Sequence, residues 1–225
     1  MIISEFAKEN KTLYLKDPES TKLGKRILSH SIILIDKYGF ENFNFKKLAV
    51  AINSTEASIY RYFENKYKLL FYLISWYWSW IKSNIENRIL NINDSIEKLK
   101  IVIHVIANSG IDDPKTPYIN EGILSKIVIA EGIKSYITKN VEKDYKEGLF
   151  FAYKKLCELI ASIILEVNPE YKYPKALTIT LIRAAHKQLF FAEHLPDFTD
   201  IKINEDNVTE LENFLNELIF SLLKK

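Results

Sequence analysis

A single cysteine, Cys157, among 225 residues excludes an intramolecular disulfide and a multi-cysteine metal site, and it fits a reducing cytoplasm. Glycine and proline number only 6 each, too few for a loop-rich chain, while 48% of residues are hydrophobic. That combination predicts a packed, mostly helical protein. No stretch alternates with period two over a useful length; Thr178-Ile179-Thr180 comes nearest and lies inside a longer helical pattern. The opening MIISEFAKEN contains acids and no long apolar core, so it does not read as a secretory signal. The run Leu69 to Ile81, LLFYLISWYWSWI, is interrupted only by serines and bracketed by Lys68 and Lys82. It is too short for a bilayer span and reads as a buried helix. There is no Walker loop, dinucleotide fingerprint, H-E-x-x-H or nucleophile elbow, so no enzyme, cofactor or metal site is expected. Repeats and low-complexity segments are absent too.

What is present is concentrated between Phe45 and Leu70. Phe45, Leu48, Ala49 and Ile52 fall at the i, i+3, i+4, i+7 spacing of one buried helical stripe, with Asn44 as the expected N-cap. Asn53-Ser54-Thr55 follows: Asn tolerates the left-handed conformation of a tight helix exit, and Thr or Ser caps the next helix. That helix is expected over about Glu56 to Phe63. It should bury Ala57, Ile59 and Phe63 and turn Glu56, Ser58, Tyr60, Arg61 and Tyr62 at least partly outward, groups that bond phosphates and base edges. Two short helices joined by a tight turn present a recognition helix to DNA. The overall charge of +2 is uninformative, but Lys22 to Lys68 holds nine basic residues (Lys22, Lys25, Arg26, Lys37, Lys46, Lys47, Arg61, Lys66, Lys68) against four acidic ones. Positive charge therefore gathers where the DNA motif lies. Upstream, Asp17-Pro18-Glu19 reads as an N-cap with proline at the first helical position, opening a helix that stops at Gly39. Its early Lys22, Lys25 and Arg26 are placed for phosphate contact.

Ala49, Ile52, Asn53, Ser54, Thr55, Ile59, Tyr60, Phe63, Lys66 and Leu69 resemble the pattern A-x-x-A-G-V-S-x-x-x-L-Y-x-x-F-x-x-K-x-x-L of the TetR/AcrR family of bacterial transcriptional regulators. The resemblance covers about Lys22 to Leu73. It departs from the pattern in the turn, where Asn53 stands for the usual Gly and Ser54 for the usual Val. The resemblance implies an all-α fold of about nine helices: a three-helix helix-turn-helix DNA-binding domain, then a helical ligand-binding and dimerisation domain. On that basis residues 1–16 are an arm, 17–65 the DNA-binding domain and 66–225 the effector-binding and dimerisation domain. Tyr60, Lys66 and Thr55 would contact phosphates. Lys46, Glu56, Ala57, Ser58, Arg61 and Tyr62 would make base or backbone contacts. The arm is compatible with packing on the domain and with reaching a groove.

Further along, helices are expected over about Lys66 to Leu90, Asp94 to Asn108, Asn120 to Ile129, Val141 to Val167, Pro174 to His194 and Glu205 to Lys224, with Gly110, Pro114 and Pro117 in a loop. The resemblance implies a small-molecule pocket within them, and Trp76, Tyr77, Trp80, His104, Asn108, Tyr153 and His186 are the candidates, as aromatic or polar groups in apolar helices. Core packing predicts the same residues. Val208, Leu211, Leu215, Leu218 and Leu222, broadened by Phe214 and Ile219, give the last helix more apolar surface than an exposed helix needs. Burial in its own domain explains that surface; so does the family's pairing of the last two helices in a homodimer, with Leu181, Ala185, Leu211, Leu215, Leu218 and Leu222 at the interface. The leading expectation is a cytoplasmic, dimeric regulator, most simply a repressor, on a palindromic operator, released by a small hydrophobic or aromatic ligand. The alternative is a helical lipid-binding or membrane-surface protein using Leu69 to Ile81.

Overall fold

Asp17 accepts a hydrogen bond from the Glu19 amide at 2.9 Å and Pro18 fixes φ, so Pro18–Ser20 closes as a 3-10 turn. The backbone is then extended at Thr21, whose hydroxyl accepts from the Gly24 amide at 2.9 Å and caps helix α1, Lys22–Asn42. The single helix expected from Pro18 is therefore a turn followed by a helix. Gly24 permits their close approach: a Cβ there would meet the Pro18 carbonyl oxygen at 2.1 Å. At Gly39, with φ 72, helical geometry breaks where the sequence predicts a stop, and one more turn follows.

The computed structural model describes residues 12–110, 116–136, 139, 141–203 and 208–224. Residues 1–11 of the expected arm, Pro114 of the expected loop and the expected start of the last helix at Glu205 lie outside the described residues. Among those described the fold is all-α, with ten α-helices and no strand. After α1 come α2 Phe45–Ala51, α3 Glu56–Tyr60, α4 Lys66–Ile89, α5 Ser95–Ala107, α6 Glu121–Tyr136, α7 Val141–Lys146, α8 Phe151–Val167, α9 Pro174–His194 and α10 Thr209–Leu223. The tenth arises because the helix expected over Val141 to Val167 is divided. Gly148 adopts φ 80 and its amide bonds the Tyr145 carbonyl at 3.1 Å, which ends α7.

Two compact units form. The first takes in the described residues of Met1–Trp80 and Gly110–Tyr153. Here α1 packs on the Pro18–Ser20 turn, on α2 and on α6. Ile27, Leu28, Ile32, Leu48, Ile52, Ile59, Phe63, Leu69, Leu73 and Tyr77 are all buried, each aliphatic among them worth about 1.5–3 kcal/mol over exposure. The described part of the arm packs on this unit: Leu13 is buried, the Leu15 amide donates to the Tyr62 carbonyl at 2.8 Å, and Thr12 Oγ1 donates to the Glu147 carbonyl at 3.2 Å. The apolar run Leu69 to Ile81 is buried except at half-buried Phe71 and Ser79, so it presents no apolar face to lipid. No helix among the described residues is long and apolar enough to cross a membrane.

The second unit takes in Ile81–Ser109 and the described residues of Lys154–Lys225. Asp94 caps α5, accepting from the Ile96 amide at 2.9 Å. Helix α9 packs against α5 and α10, and α10 against α5. Leu99, Val102, Ile103, Ile160, Ile164, Leu177, Leu181, Ile182, Leu211, Leu215 and Ile219 are buried. Asn168 closes the unit, donating to the Leu223 carbonyl at 3.4 Å while accepting from the Glu170 amide at 3.1 Å.

Candidate nucleic-acid interface

The helix-turn-helix is assembled by short-range chemistry. Asn44 caps α2 by accepting from the Lys47 amide at 2.9 Å. The helix exits through Asn53 at φ 45, the left-handed conformation, and the Ser54 amide bonds the Ala49 carbonyl at 2.9 Å. Thr55 then caps α3, accepting from the Ser58 amide at 3.3 Å. Buried Ile52 and Ile59, and an edge-to-face contact of Phe45 with Tyr60 at 5.0 Å, hold the two helices together. Each cap contributes about 1 kcal/mol.

Helix α3 ends at Tyr60, and a turn carries the chain to buried Phe63. Thr55, Glu56, Ala57, Tyr60 and Arg61 are exposed and Ser58 is half-buried. Ala57, expected to be buried, faces out because residues two apart on so short a helix cannot share the face taken by Ile59. Ser58 Oγ lies 2.9 Å from Thr55 Oγ1 and accepts from Arg61 Nη2 at 3.4 Å, linking three polar side chains on this surface. Lys46 on α2 and Lys22 and Arg26 on α1 are exposed. Arg26 also donates through Nη2 to the Ile52 carbonyl, tying α1 to the turn, while Lys25 Nζ lies 4.8 Å over the Tyr118 ring.

Two expected contacts are corrected. Tyr62 is only 3% exposed, and its hydroxyl lies 2.7 Å from Thr21 Oγ1, so it rivets the exit of α3 to the start of α1 instead of facing a groove. Lys66 directs Nζ at the carbonyls of Phe40, Glu41 and Phe43, at 3.1, 3.0 and 3.2 Å. An ammonium has three donors, and main-chain oxygens at the end of α1 engage all of them in place of a phosphate. Lys16, which the sequence did not single out, sits 5.3 Å over the Tyr62 ring beside this surface.

The ligand candidates fall into both units. In the first, Trp76, Tyr77 and Trp80 are buried on α4. Trp76 and Trp80 stack at 6.5 Å, Tyr77 lies 6.0 Å from Trp80, and Trp78, 4.9 Å from Tyr77, brings in Tyr153 at 4.8 Å. Tyr77 Oη lies 3.3 Å from Ser125 Oγ of α6. The buried indole N–H of Trp80 has no acceptor among the described residues. In the second unit, exposed His104 and half-buried Asn108 converge on Glu212, at 2.9 and 2.6 Å. His104 and Glu212 border a groove of about 490 Å³ lined also by Glu97, Lys100, Asn216 and Phe220. His186 stands apart from this groove, buried, and burial with nearby Arg183 pushes its imidazole down to about 3. Among the described residues no group of three or more His, Cys, Asp or Glu is placed to hold a metal ion.

Four of the expected interface residues are corrected as well. Leu181, Ala185, Leu211 and Leu215 are fully buried within the chain and have no surface left for a partner. The outward stripe of α10 is instead Phe214, 38% exposed, half-buried Leu218 and Leu222, 49% exposed, at i, i+4, i+8.

A sensitive sequence comparison matches residues 27–73 to the bacterial regulatory proteins of the tetR family. No curated protein sequence matches. Among solved structures the chain is similar to AibR in complex with isovaleryl coenzyme A and operator DNA, at 14% identity, TM-score 0.59, covering 88% of this chain and 96% of that one. It is similar to a TetR transcriptional regulator from Legionella pneumophila, at 24% identity, TM-score 0.53, covering 88% and 96%. It is also similar to the superantigen PfiT, at 16% identity, TM-score 0.59, covering 92% and 97%. One fold thus serves proteins described in different terms, and function has to be argued from the site.

Proposed function

We propose that this chain, whose residues 27–73 match the bacterial regulatory proteins of the tetR family, is a cytoplasmic, sequence-specific DNA-binding transcription regulator. In this reading it is a homodimeric repressor of a palindromic operator, released by a small hydrophobic or aromatic ligand. The observation that supports it most is the row of exposed Thr55, Glu56, Ala57, Tyr60 and Arg61 with half-buried Ser58 among them, held by the Thr55 cap, together with exposed Lys22, Arg26 and Lys46. These groups bond phosphates and read base edges, and a capped helix presents them without an ordering cost. Tyr62 and Lys66 support the surface from behind. Residues 17–65 are the reading head, and the helices from Lys66 onward take the ligand and the second subunit.

The dimer rests on Phe214, Leu218 and Leu222, an apolar stripe that the inward face of α10 leaves unused. A two-fold protein then meets a two-fold operator. The effector site rests on the aromatic cluster of Trp76, Tyr77, Trp80 and Tyr153, whose unmatched Trp80 N–H suits a flat apolar ligand bearing one acceptor. AibR, with its operator and acyl coenzyme A, is a precedent for such pairing on this fold. Selection of bound fragments from a random DNA pool, at near-physiological salt with nonspecific competitor, tests the reading. An enriched palindrome is expected; enrichment of no sequence by folded protein would overturn it.

A further inference from the structure

Glu19 is a buried carboxylate, 7% exposed, outside every role assigned so far. Its Oε1 accepts from the Tyr72 hydroxyl of α4 at 3.1 Å and its Oε2 from the Tyr118 hydroxyl, just before α6, at 3.3 Å. The nearby Trp76 indole of α4 also favours its charged form. Burial and nearby Asp17 raise its carboxyl group above the usual range, which Tyr72, Tyr118 and Trp76 only partly offset. The group is therefore costly to maintain and depends on donors from two separate stretches of chain.

Each neighbour of Glu19 leads elsewhere. On one side, Trp76 stacks on Trp80 in the aromatic cluster, and Tyr118 lies next to buried Ile119 at the entry to α6. On the other, Glu19 sits in the turn pressed against Gly24 of α1, and Thr21 immediately after it contacts Tyr62 at 2.7 Å. Lys25, one turn into α1, places its Nζ 4.8 Å over the Tyr118 ring. A continuous set of contacts thus runs from the aromatic cluster through one carboxylate to the exit of the recognition helix.

Resting on the regulatory reading above, we propose that Glu19 is the positioning residue that couples the aromatic cluster and the entry of α6 to the DNA-reading head. A buried carboxylate tolerates the loss of a donor poorly, so Tyr72, Trp76 and Tyr118 hold or release it together. A ligand at Trp76 or α6 shifts DNA binding through this cluster only by binding with different affinity to two arrangements of the Pro18–Ser20 turn, which is the state change the coupling requires.

Coupling is reciprocal, so DNA alone serves as the probe. The operator duplex enriched from the random pool is added to the full-length protein, and amide hydrogen exchange is followed at residues 116–125. In the wild type, operator binding changes exchange there. In Tyr118→Phe, which keeps the ring beneath Lys25, and in Glu19→Gln, which keeps the shape, that change shrinks about fivefold or more while operator affinity shifts far less. An exchange response that is the same size in both variants, or absent in wild-type protein shown to be operator-bound, overturns the proposal. Failure of the wild type to bind any duplex specifically overturns the regulatory reading first, and the coupling with it.

Discussion

Replacing Lys66 by methionine separates two roles for the same ammonium group. Methionine retains the aliphatic stem between the Phe40 and Tyr67 rings, whose centroids lie 4.8 and 5.8 Å from Nζ, and removes only the charge. Lost with it are three hydrogen bonds to carbonyls at the end of α1, at 3.0 to 3.2 Å. Bonds to a charged group are worth about 1.5–3 kcal/mol each when buried. Lys66 is half-buried and water reaches the carbonyls left behind, so the total is about 2–3 kcal/mol. For a chain of this length that is a fall in Tm of about 5–10 °C. Thermal unfolding by circular dichroism gives the first quantity, and fluorescence anisotropy with labelled operator at several salt concentrations gives the second. The expected result is a lower Tm with the dependence of log K on log salt unchanged. A slope smaller by about 0.9 with Tm unaltered is the signature of one lost phosphate contact, and it would refute the assignment of Lys66 to the head's interior.

Gly24→Ala sets a Cβ 2.1 Å from the Pro18 carbonyl oxygen, a backbone clash no rotamer relieves, and should destabilise the first unit by about 3 kcal/mol or more in thermal melts. His186 is held neutral in the fold down to about 3, mainly by burial and then by Arg183. The unfolded chain therefore gains its proton first as pH falls below about 6.5; stability from this group is full above that pH and is lost on the way to 3, about 2 kcal/mol of it by pH 5. Urea unfolding at pH 7.5 and 5 should show that loss and show it abolished in His186→Gln; equal pH dependence in the two proteins would contradict it. Arg61→Ala should change the base preferred at one operator position in a repeat of the DNA selection, whereas an unchanged consensus with uniformly weaker binding would make Arg61 a phosphate contact. Leu222→Glu should shift the protein from dimer to monomer in sedimentation at micromolar concentration, and an unaltered dimer would place the interface elsewhere.

The sequence by itself determined what short-range chemistry controls. Asn44 and Thr55 as caps, the left-handed Asn53 and the buried spacing of Leu48, Ile52 and Ile59 are all local, and all stand in the structure as their side chains require. The all-α class followed for the same reason, from helical spacing with few glycines and prolines. Tertiary structure decided the rest, because those outcomes depend on which distant atoms arrive nearby. Tyr62 has the composition of a DNA contact, yet Thr21 claims its hydroxyl; Lys66 has the charge for a phosphate, yet the end of α1 meets it first. On α10 the heptad-like leucines could not reveal which stripe faces inward, since periodicity fixes a face and not its neighbour. Glu19, Tyr72 and Tyr118 share no spacing or motif, and only tertiary packing brings the Pro18–Ser20 turn, α4 and the entry of α6 into one cluster, since a buried carboxylate must find its donors wherever the fold supplies them.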